Sequence, residues 1–231
     1  MNGKLSKREF FQVVLTAVLI MVTVVVTAFL LTIVLSGILI SHPAQLGDIT
    51  NWQINHDYCQ LQQYLLNPFV PRLSLDYLTI SVHGFAHYRQ VKILTGILEL
   101  TGTMSLVLIT ISLRSIKRSP KLLLNQLRAI WIILVVLIMG MTLFFIDFNN
   151  NFIRLHRILF NNNWWIFNPA SDQTILLMPV TFFTKCGLIM FTIVVLMGLI
   201  AILLVRHQLI ITYFGLNKTD YRWNQGHHND C

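Results

Sequence analysis

Four long apolar runs limit what this chain can fold into. They cover residues 10–40, 93–113, 129–148 and 184–205, and no fifth run approaches their length. Each reaches the roughly 20 residues that an α-helix needs to cross a bilayer. Inside a bilayer the backbone polar groups must bond within their own segment, which favours helices. The sequence therefore predicts an all-α membrane protein with four transmembrane helices.

The composition excludes an ordinary soluble domain. Only 11% of the residues are charged, whereas soluble domains contain about 25%. The net charge is +8, but the basic residues stand beside the apolar runs and not along one polar face, so we expect no nucleic-acid partner. The first run is far longer than the roughly 7–15 residues of a signal-peptide core. We expect it to remain in place as a spanning helix surrounded by membrane lipids.

The basic residues also predict the orientation of the helices. Lys and Arg accumulate in short loops on the cytoplasmic side of a membrane. The connector between the second and third runs contains no acid and five basic residues, Arg114, Lys117, Arg118, Lys121 and Arg128, and both termini are basic. We expect the termini and this connector in the cytoplasm. Residues 41–92 and 149–183 would then form a small extracellular cap on a single membrane domain, residues 1–231.

The segment 147–183 combines one histidine with arginines, asparagines and aromatic residues. His156 lies between Arg154 and Arg157, and it is followed by three asparagines and then by Trp164 and Trp165. Trp prefers the headgroup level of a membrane, where one end of its ring is wet. The segment fits either an interfacial loop with a surface histidine or a reactive site at the membrane boundary.

A helix that enters the second span would carry two further histidines. Ser81 is a suitable N-cap for this helix, which would hold His83 and His87 on one face. An i, i+4 pair of histidines can bind zinc, but no third ligand stands at a familiar spacing, and Gly84 weakens the local helix. We therefore expect no metal site here.

Two other polar features have ordinary explanations. Glu99 is an acid inside the second apolar run, and we expect it to pair within the protein or to reach toward Lys92. At the tail, His227, His228 and Cys231 could bind a metal adventitiously, but a frayed polar terminus explains them more simply.

Two sequence motifs resemble those of one known family. Residues 155–169 read LHRILFNNNWWIFNP and residues 178–183 read MPVTFF. They resemble the lipoprotein intramolecular transacylase (Lit) family of Gram-positive bacteria, which shows a pattern like FHxIFFNNDxWxFDP followed by PEEFF. The resemblance also predicts a His-aromatic-x-acid-Val-Lys motif before the second span, and residues 87–92, HYRQVK, fit it closely. The resemblance extends over the whole four-helix plan.

The resemblance implies a membrane acyltransferase of the bacterial cell membrane. Such an enzyme moves the sn-2 acyl chain of a diacylglyceryl lipoprotein to the α-amino group of its N-terminal cysteine, giving lyso-form lipoprotein. Carried over by motif, the two catalytic residues are His87 and His156, at the boundary between cap and membrane. We expect no cofactor, because the transfer joins two groups of one molecule.

The same resemblance suggests which residues surround the two histidines. Candidates for stabilising the oxyanion or positioning the substrate are polar neighbours of the motifs: Arg154, Arg157, Asn161, Asn162 and Tyr88. Candidates for an apolar substrate pocket are six aromatic residues in or close to the two motifs: Phe152, Phe160, Trp164, Trp165, Phe182 and Phe183. Ordinary anchoring in the membrane interface is the alternative explanation for each of these aromatic residues.

The chain departs from the family pattern at several acids. Gln90, Asn163 and Asn168 stand where the family usually has carboxylates, and Val180 and Thr181 replace two more. Amides keep much of the shape and the hydrogen bonding but lose the charge. A decayed active site would show the same losses, so the alternative is a non-catalytic four-span accessory or immunity protein whose extracellular cap binds a partner. A small transporter is less consistent, because the chain has no inverted repeat and no interrupted helix pair.

Overall fold

The computed structural model describes residues 5–117 and 119–226. Arg118 of the basic connector and the tail residues His227, His228 and Cys231 lie outside this range. Every regular element within it is helical, which confirms the predicted fold class. The elements are α1 (Lys7–Leu35), 3₁₀ turns at Ser36–Leu39 and Ala44–Leu46, α2 (Asn51–Leu66), α3 (Val82–Ile116), α4 (Pro120–Ile146), α5 (Phe148–Leu159), α6 (Thr174–Leu177) and α7 (Val180–Gly226).

Four helices of the described chain are long and apolar enough to cross a membrane. The corresponding stretches are Lys7–Leu39, Val82–Arg114, Pro120–Ile146 and Val180–Phe214. These stretches begin earlier or end later than the predicted apolar runs, most clearly at the start of the second. The reason is that hydropathy detects the part of a helix that prefers lipid, whereas the helix itself continues to its capping residue.

The helices α2 and α3 both begin at capping residues. α2 starts after Thr50, whose side chain accepts a hydrogen bond from the backbone N–H of Gln53, while the Gln53 side chain bonds back to Thr50. Ser81 Oγ accepts a hydrogen bond of 3.1 Å from the backbone N–H of Gly84. This contact confirms Ser81 as the predicted N-cap of α3, and α2 ends at Leu66 with Asn67 as its C-cap.

The described chain divides into two compact units. The first comprises Met1–Val25, Gly102–Ile138 and Val194–Cys231, and the second comprises Val26–Thr101 and Met139–Ile193. The first unit therefore contains the basic connector. The second contains both of the loops that were expected to form a cap.

Helix contacts within the first unit depend on one buried amide and one glycine. Gln126 is fully buried, and its amide, oriented to satisfy both ends, donates to the Val13 carbonyl (3.0 Å) and accepts from the Ala17 N–H (3.1 Å). Leu134 packs directly on Gly198, where a Cβ atom would lie only 2.7 Å from the leucine Cδ1. A residue larger than glycine would push these two helices apart.

The second unit has a hydrophobic core drawn from both loops and from the ends of α3 and α7. Its buried members are Leu46, Ile54, Tyr58, Leu61, Tyr64, Leu78, Tyr88, Leu177, Met178 and Phe182. The two loop segments therefore fold together into one structure rather than remaining as separate mobile connections.

A buried acid and a lysine fasten the first loop to its helices. Asp57 is fully buried and accepts hydrogen bonds from the backbone N–H groups of residues 76, 77 and 78 at 3.0, 2.9 and 2.7 Å. Lys92 Nζ donates to the carbonyls of Tyr64, Asn67 and Val70 at 2.8, 2.8 and 2.6 Å. The lysine of the HYRQVK motif thus bonds one carbonyl of the last turn of α2 and two carbonyls of the segment that follows this helix. Glu99 lies close enough to interact electrostatically with this lysine, as one of the two expectations proposed.

Candidate active site

The second unit encloses a cavity of about 330 Å³ that both motif histidines line. Its walls come from the end of α1, from α2, α3 and α5, and from the segment 160–186. The ring centres of His87 and His156 are 6.0 Å apart. The volume lies near the lower end of the range for pockets that bind small molecules, about 300–1,000 Å³. The fold therefore brings together two histidines that lie on different helices.

His87 lies in the second turn of α3 and is buried among aromatic rings. Its side chain is 6% exposed, and the rings of Phe160 and Phe167 approach it edge-on at 4.8 and 5.6 Å. Its Nδ1 atom is buried and has no hydrogen-bond partner among the described residues. A buried polar atom without a partner costs about 1–3 kcal/mol, so this atom is suited to bonding a substrate group.

His156 lies on α5, a helix that begins at the N-cap residue Asp147. Its Nδ1 atom is 2.9 Å from the Phe152 carbonyl oxygen one turn earlier. Because a carbonyl only accepts hydrogen bonds, Nδ1 carries the proton in the neutral ring and Nε2 keeps its lone pair. Burial lowers the pKa of His156 below its usual value, although the Phe152 hydrogen bond acts in the opposite direction. The ring is therefore neutral at neutral pH and able to accept a proton at Nε2.

Aromatic side chains form much of the cavity wall. Phe152 is 4.2 Å from His156 and 4.8 Å from Phe183 between ring centres, and Trp165 is 5.1 Å from His156. Five of the six predicted aromatic residues line the cavity, namely Phe152, Phe160, Trp165, Phe182 and Phe183. The sixth, Trp164, stacks on the exposed His83 at 6.0 Å outside the cavity.

Comparison with known proteins agrees with this geometry. A family model described as lipoprotein intramolecular transacylase Lit matches residues 10–183 of the 231. The chain belongs to the Lit family. It is therefore a membrane enzyme that transfers an acyl group within a lipoprotein, and this membership favours the enzymatic interpretation over the non-catalytic accessory protein.

Solved structures of a Lit protein share the fold. The structure of the membrane integral lipoprotein intramolecular transacylase Lit from Bacillus cereus is 20% identical, with a TM-score of 0.74 over 90% of this chain and 98% of that chain. A variant of the same protein with a histidine replaced by alanine has a TM-score of 0.73, at 20% identity over 90% and 96% of the two chains. Among curated protein sequences, none matches this chain. The likeness establishes a multi-pass membrane protein with the Lit fold.

Most of the polar side chains suggested by the Lit motifs lie outside the cavity. Arg154, Arg157 and Asn161 are exposed, and Arg154 donates to Asn151 at 3.4 Å. Asn162 accepts from the Trp164 backbone through Oδ1 and from Trp165 Nε1 through its carbonyl, both at 3.0 Å. Asn162 therefore holds Trp165 against His156 and does not face the cavity itself.

All five candidates lie within the described ranges. Of these five, only Tyr88 lines the cavity. It is 5% exposed, and its hydroxyl donates a hydrogen bond of 3.0 Å to Thr174 Oγ1. Its hydroxyl proton is committed to Thr174, so Tyr88 contributes mainly its ring to the cavity wall.

Besides the two histidines, the cavity wall contains a set of polar residues that the sequence did not indicate. Tyr58 and Ser36 share a hydrogen bond of 2.7 Å, and Gln62 Nε2 donates to the carbonyls of Ile33 and Val34 at the end of α1 at 2.5 and 3.1 Å. Burial raises the pKa of Tyr58 to about 12, with the Ser36 hydrogen bond opposing it. These residues close the end of α1 and present a neutral phenol to the cavity. The helical spacing of Tyr58 with Leu61 and Leu65 was the only available signal.

The amides that replace family acids take part in turns. The Asn163 backbone carbonyl accepts from the Ile166 N–H at 3.1 Å, a contact that does not involve its side chain. Asn168 Oδ1 accepts from the Ala170 N–H at 3.1 Å, and an amide oxygen serves this contact as well as a carboxylate does. Gln90 differs, because its Oε1 is buried and has no hydrogen-bond partner among the described residues.

A buried acid that the motifs did not indicate lies close to the start of α3. Asp172 is 3% exposed, and it accepts a hydrogen bond of 2.8 Å from the Ser81 N–H. Burial alone would raise the pKa of Asp172, but the hydrogen bonds from Ser81, Ser171 and Asn168 outweigh burial and hold this pKa below its usual value. An ionised carboxylate is therefore present at the start of α3, although amides replace several acids of the family pattern.

Proposed function

We propose that this Lit-family protein moves the sn-2 acyl chain of a diacylglyceryl lipoprotein to the α-amino group of its N-terminal cysteine, with His87 and His156 as the catalytic pair. The product is a lyso-form lipoprotein with an N-acylated cysteine. The observation that carries this proposal is a pair of imidazole rings 6.0 Å apart in an aromatic cavity. One ring has a free lone pair, and the other has a buried nitrogen without a partner.

His156 acts as the general base. A free α-amino group has a pKa of about 7.7–8.0, so the amine must lose a proton as it attacks the ester carbonyl. The neutral His156 ring can take that proton at Nε2, because its Nδ1–H is engaged by the Phe152 carbonyl. As the sn-2 C–O bond breaks, His156 returns the same proton to the departing alkoxide. The N–C bond forms, the O–C bond breaks, and no proton is gained or lost.

His87 stabilises the tetrahedral intermediate. The carbonyl oxygen of the ester gains negative charge during attack, and a nearby N–H donor lowers the energy of that state. The unbonded ring nitrogen of His87 is the buried group in the cavity that best fits this role. In its neutral form with the proton on Nδ1, His87 can donate that hydrogen to the oxyanion.

Positioning of the substrate supplies a large part of the catalysis. The attack closes a medium-sized ring through the amine nitrogen, Cα, Cβ, the thioether sulfur, two glyceryl carbons, the ester oxygen and the carbonyl carbon. Such rings close reluctantly, and holding a reactive conformer contributes up to about 7–11 kcal/mol. Phe152, Phe160 and Trp165 give the cavity rigid aromatic walls that would hold the glyceryl unit and exclude water. No cofactor is needed for this transfer.

Replacement of the two histidines tests this mechanism. We expect His87→Ala and His156→Ala each to lower the rate of acyl migration by about 10²–10⁴-fold. Because the residues act as one unit, the double variant should be little slower than either single variant. The measurement is mass spectrometry of a synthetic diacylglyceryl-cysteinyl peptide incubated with the protein in lipid vesicles.

The control is His83→Ala, one helical turn before His87 on the same helix. His83 is exposed and does not line the cavity, so this variant should keep the parental rate. N-acylated peptide formed by His156→Ala at the parental rate would show that the proposed base is wrong.

A further inference from the structure

The Asp172 carboxylate connects two parts of the second unit that are far apart in the sequence. Its Oδ1 atom accepts a hydrogen bond of 2.8 Å from the Ser81 N–H, 91 positions away. Its Oδ2 atom accepts from Ser171 Oγ at 2.9 Å and from the Asn168 N–H at 3.4 Å. One oxygen therefore bonds the N-cap of α3, and the other bonds the segment that follows Phe167.

The contact with Ser81 completes a capping box whose acid comes from another segment. In a capping box, the N-cap side chain accepts from the backbone N–H three residues later, and an acid or amide at that later position bonds back to the N-cap N–H. Here Ser81 Oγ accepts from the Gly84 N–H at 3.1 Å, but Gly84 has no side chain to return the bond. Asp172 supplies that bond instead.

Gly84 provides the space for this arrangement. A Cβ atom on Gly84 would collide with Asp172 Oδ1 and would lie 3.0 Å from Ile80 Cγ1. The carboxylate therefore occupies the volume where the missing side chain would begin. This explains a glycine in the first turn of a helix, where it otherwise costs about 1 kcal/mol relative to alanine.

The residues after Asp172 continue the same connection. The Gln173 N–H donates to the Thr79 carbonyl at 3.0 Å, and Gln173 Oε1 accepts from the Thr79 N–H at 2.9 Å. The Tyr88 hydroxyl donates to Thr174 at 3.0 Å. The three consecutive residues 172–174 thus hydrogen-bond to the segment 79–88, which leads into α3 and contains His87.

We propose that Asp172 is a positioning residue, which holds His87 in register with the aromatic segment of residues 160–167 by completing the capping box of α3 from a distant part of the sequence. His87 lies one turn beyond Gly84, and its ring contacts Phe160 and Phe167 of that segment. Loss of the carboxylate would allow the start of α3 to shift relative to the aromatic segment. This inference rests on the proposed role of His87 in acyl transfer.

Variants that give α3 a local capping box distinguish a positioning role of Asp172 from simple capping of the helix. In Asp172→Ala the hydrogen bonds of the carboxylate are lost, and we expect kcat for the diacylglyceryl-cysteinyl peptide in vesicles to fall by about 10²-fold, the cost of misplacing a catalytic group by about 1 Å. The double variant Gly84→Glu with Asp172→Ala gives α3 its own capping acid but does not restore the carboxylate that bonds both segments. It should recover the thermal stability of the parent protein while kcat stays low.

Two further variants cover the case in which Asp172→Ala does not accumulate. Asp172→Asn keeps an oxygen for Ser81, but its NH₂ group replaces the oxygen that accepts from Ser171 and Asn168, so kcat should fall about 10-fold with little change in KM. Asp48→Ala removes an exposed carboxylate of the same unit and should keep the parental kcat.

Recovery of the parental kcat by the double variant would show that Asp172 only caps a helix, and parental kcat in Asp172→Asn would equally overturn the inference. A parent protein that forms no N-acylated peptide would instead overturn the proposed function.

Discussion

At the scale of single residues, the two histidines of the cavity differ in how they are bonded. His156 has one nitrogen fixed by the Phe152 carbonyl, whereas the buried Nδ1 of His87 has no partner among the described residues. Two rings in one cavity are thereby made unequal, one as a proton acceptor and the other as a hydrogen-bond donor. This asymmetry favours His156 as the base, which the motifs alone left open.

The pKa of His156 predicts the acid side of the rate profile. Because burial holds this pKa below the usual value of 6.5, the neutral ring persists as pH falls until the lowered pKa is reached. We expect kcat to decline on the acid side with a midpoint below 6.5, measured between pH 5 and pH 9 with the diacylglyceryl-cysteinyl peptide. A separate limb from the substrate amine should appear near pH 8.

The variant His156→Ala provides the control for this assignment. Its residual rate should lack the limb below pH 6.5 but keep the amine limb. An unchanged acid limb in this variant would assign the titration to another group.

Motif reading found the histidines but not the residues that support them. His87 and His156 belong to short patterns with unusual residue combinations, so one sequence suffices to notice them. Asp172 and Tyr58 act through contacts with Ser81 and Ser36, 91 and 22 positions away. No local periodicity or spacing encodes such contacts, because they depend on how the two loops pack.

At the scale of elements, α5 shows what a hydropathy reading overlooks. The apolar runs assign residues 149–183 to the cap without any helix inside it, and the structure contains the helix Phe148–Leu159 there. Phe152, Leu155, His156 and Leu159 recur at helical spacing and line the cavity. Asp147 provides the N-cap, so the signals for this helix were present in the sequence. These signals are hard to recognise because α4 ends at Ile146, directly before Asp147.

The end of α2 supplies a prediction about stability. Lys92→Met would leave three carbonyl groups, at Tyr64, Asn67 and Val70, without their shared ammonium donor. We expect the free energy of unfolding to fall by about 1–3 kcal/mol, since hydrogen bonds from charged groups contribute on that order. Thermal unfolding of the protein in detergent micelles, followed by circular dichroism, measures the change.

Lys185→Met is the matched control for this variant. Lys185 is an exposed lysine in the second unit, so its loss should leave the melting temperature within experimental error. If Lys92→Met melted together with this control, the three hydrogen bonds would contribute nothing to the stability of the second unit.

At the scale of the whole molecule, the spans were the most predictable feature. Four helices of the described chain suit a membrane crossing, and the fold matches that of a protein only 20% identical. Backbone bonding in lipid allows few alternatives to a helix, so many sequences satisfy it. The loops are less predictable, because their folding depends on individual groups such as Asp57 and Lys92.

The orientation of the chain gives the last prediction. We propose that the termini and the segment 114–128, where α3 ends and α4 begins, lie in the cytoplasm, because this segment holds five basic residues and no acid. In a variant with the three native cysteines replaced, Ser119→Cys in the connector should react with an impermeant maleimide only after cell lysis. Phe69→Cys, at a side chain that is 89% exposed in the first loop, should react in intact cells. Labelling of the connector position in intact cells, with the loop position protected, would reverse the proposed orientation and put the histidine cavity on the cytoplasmic side.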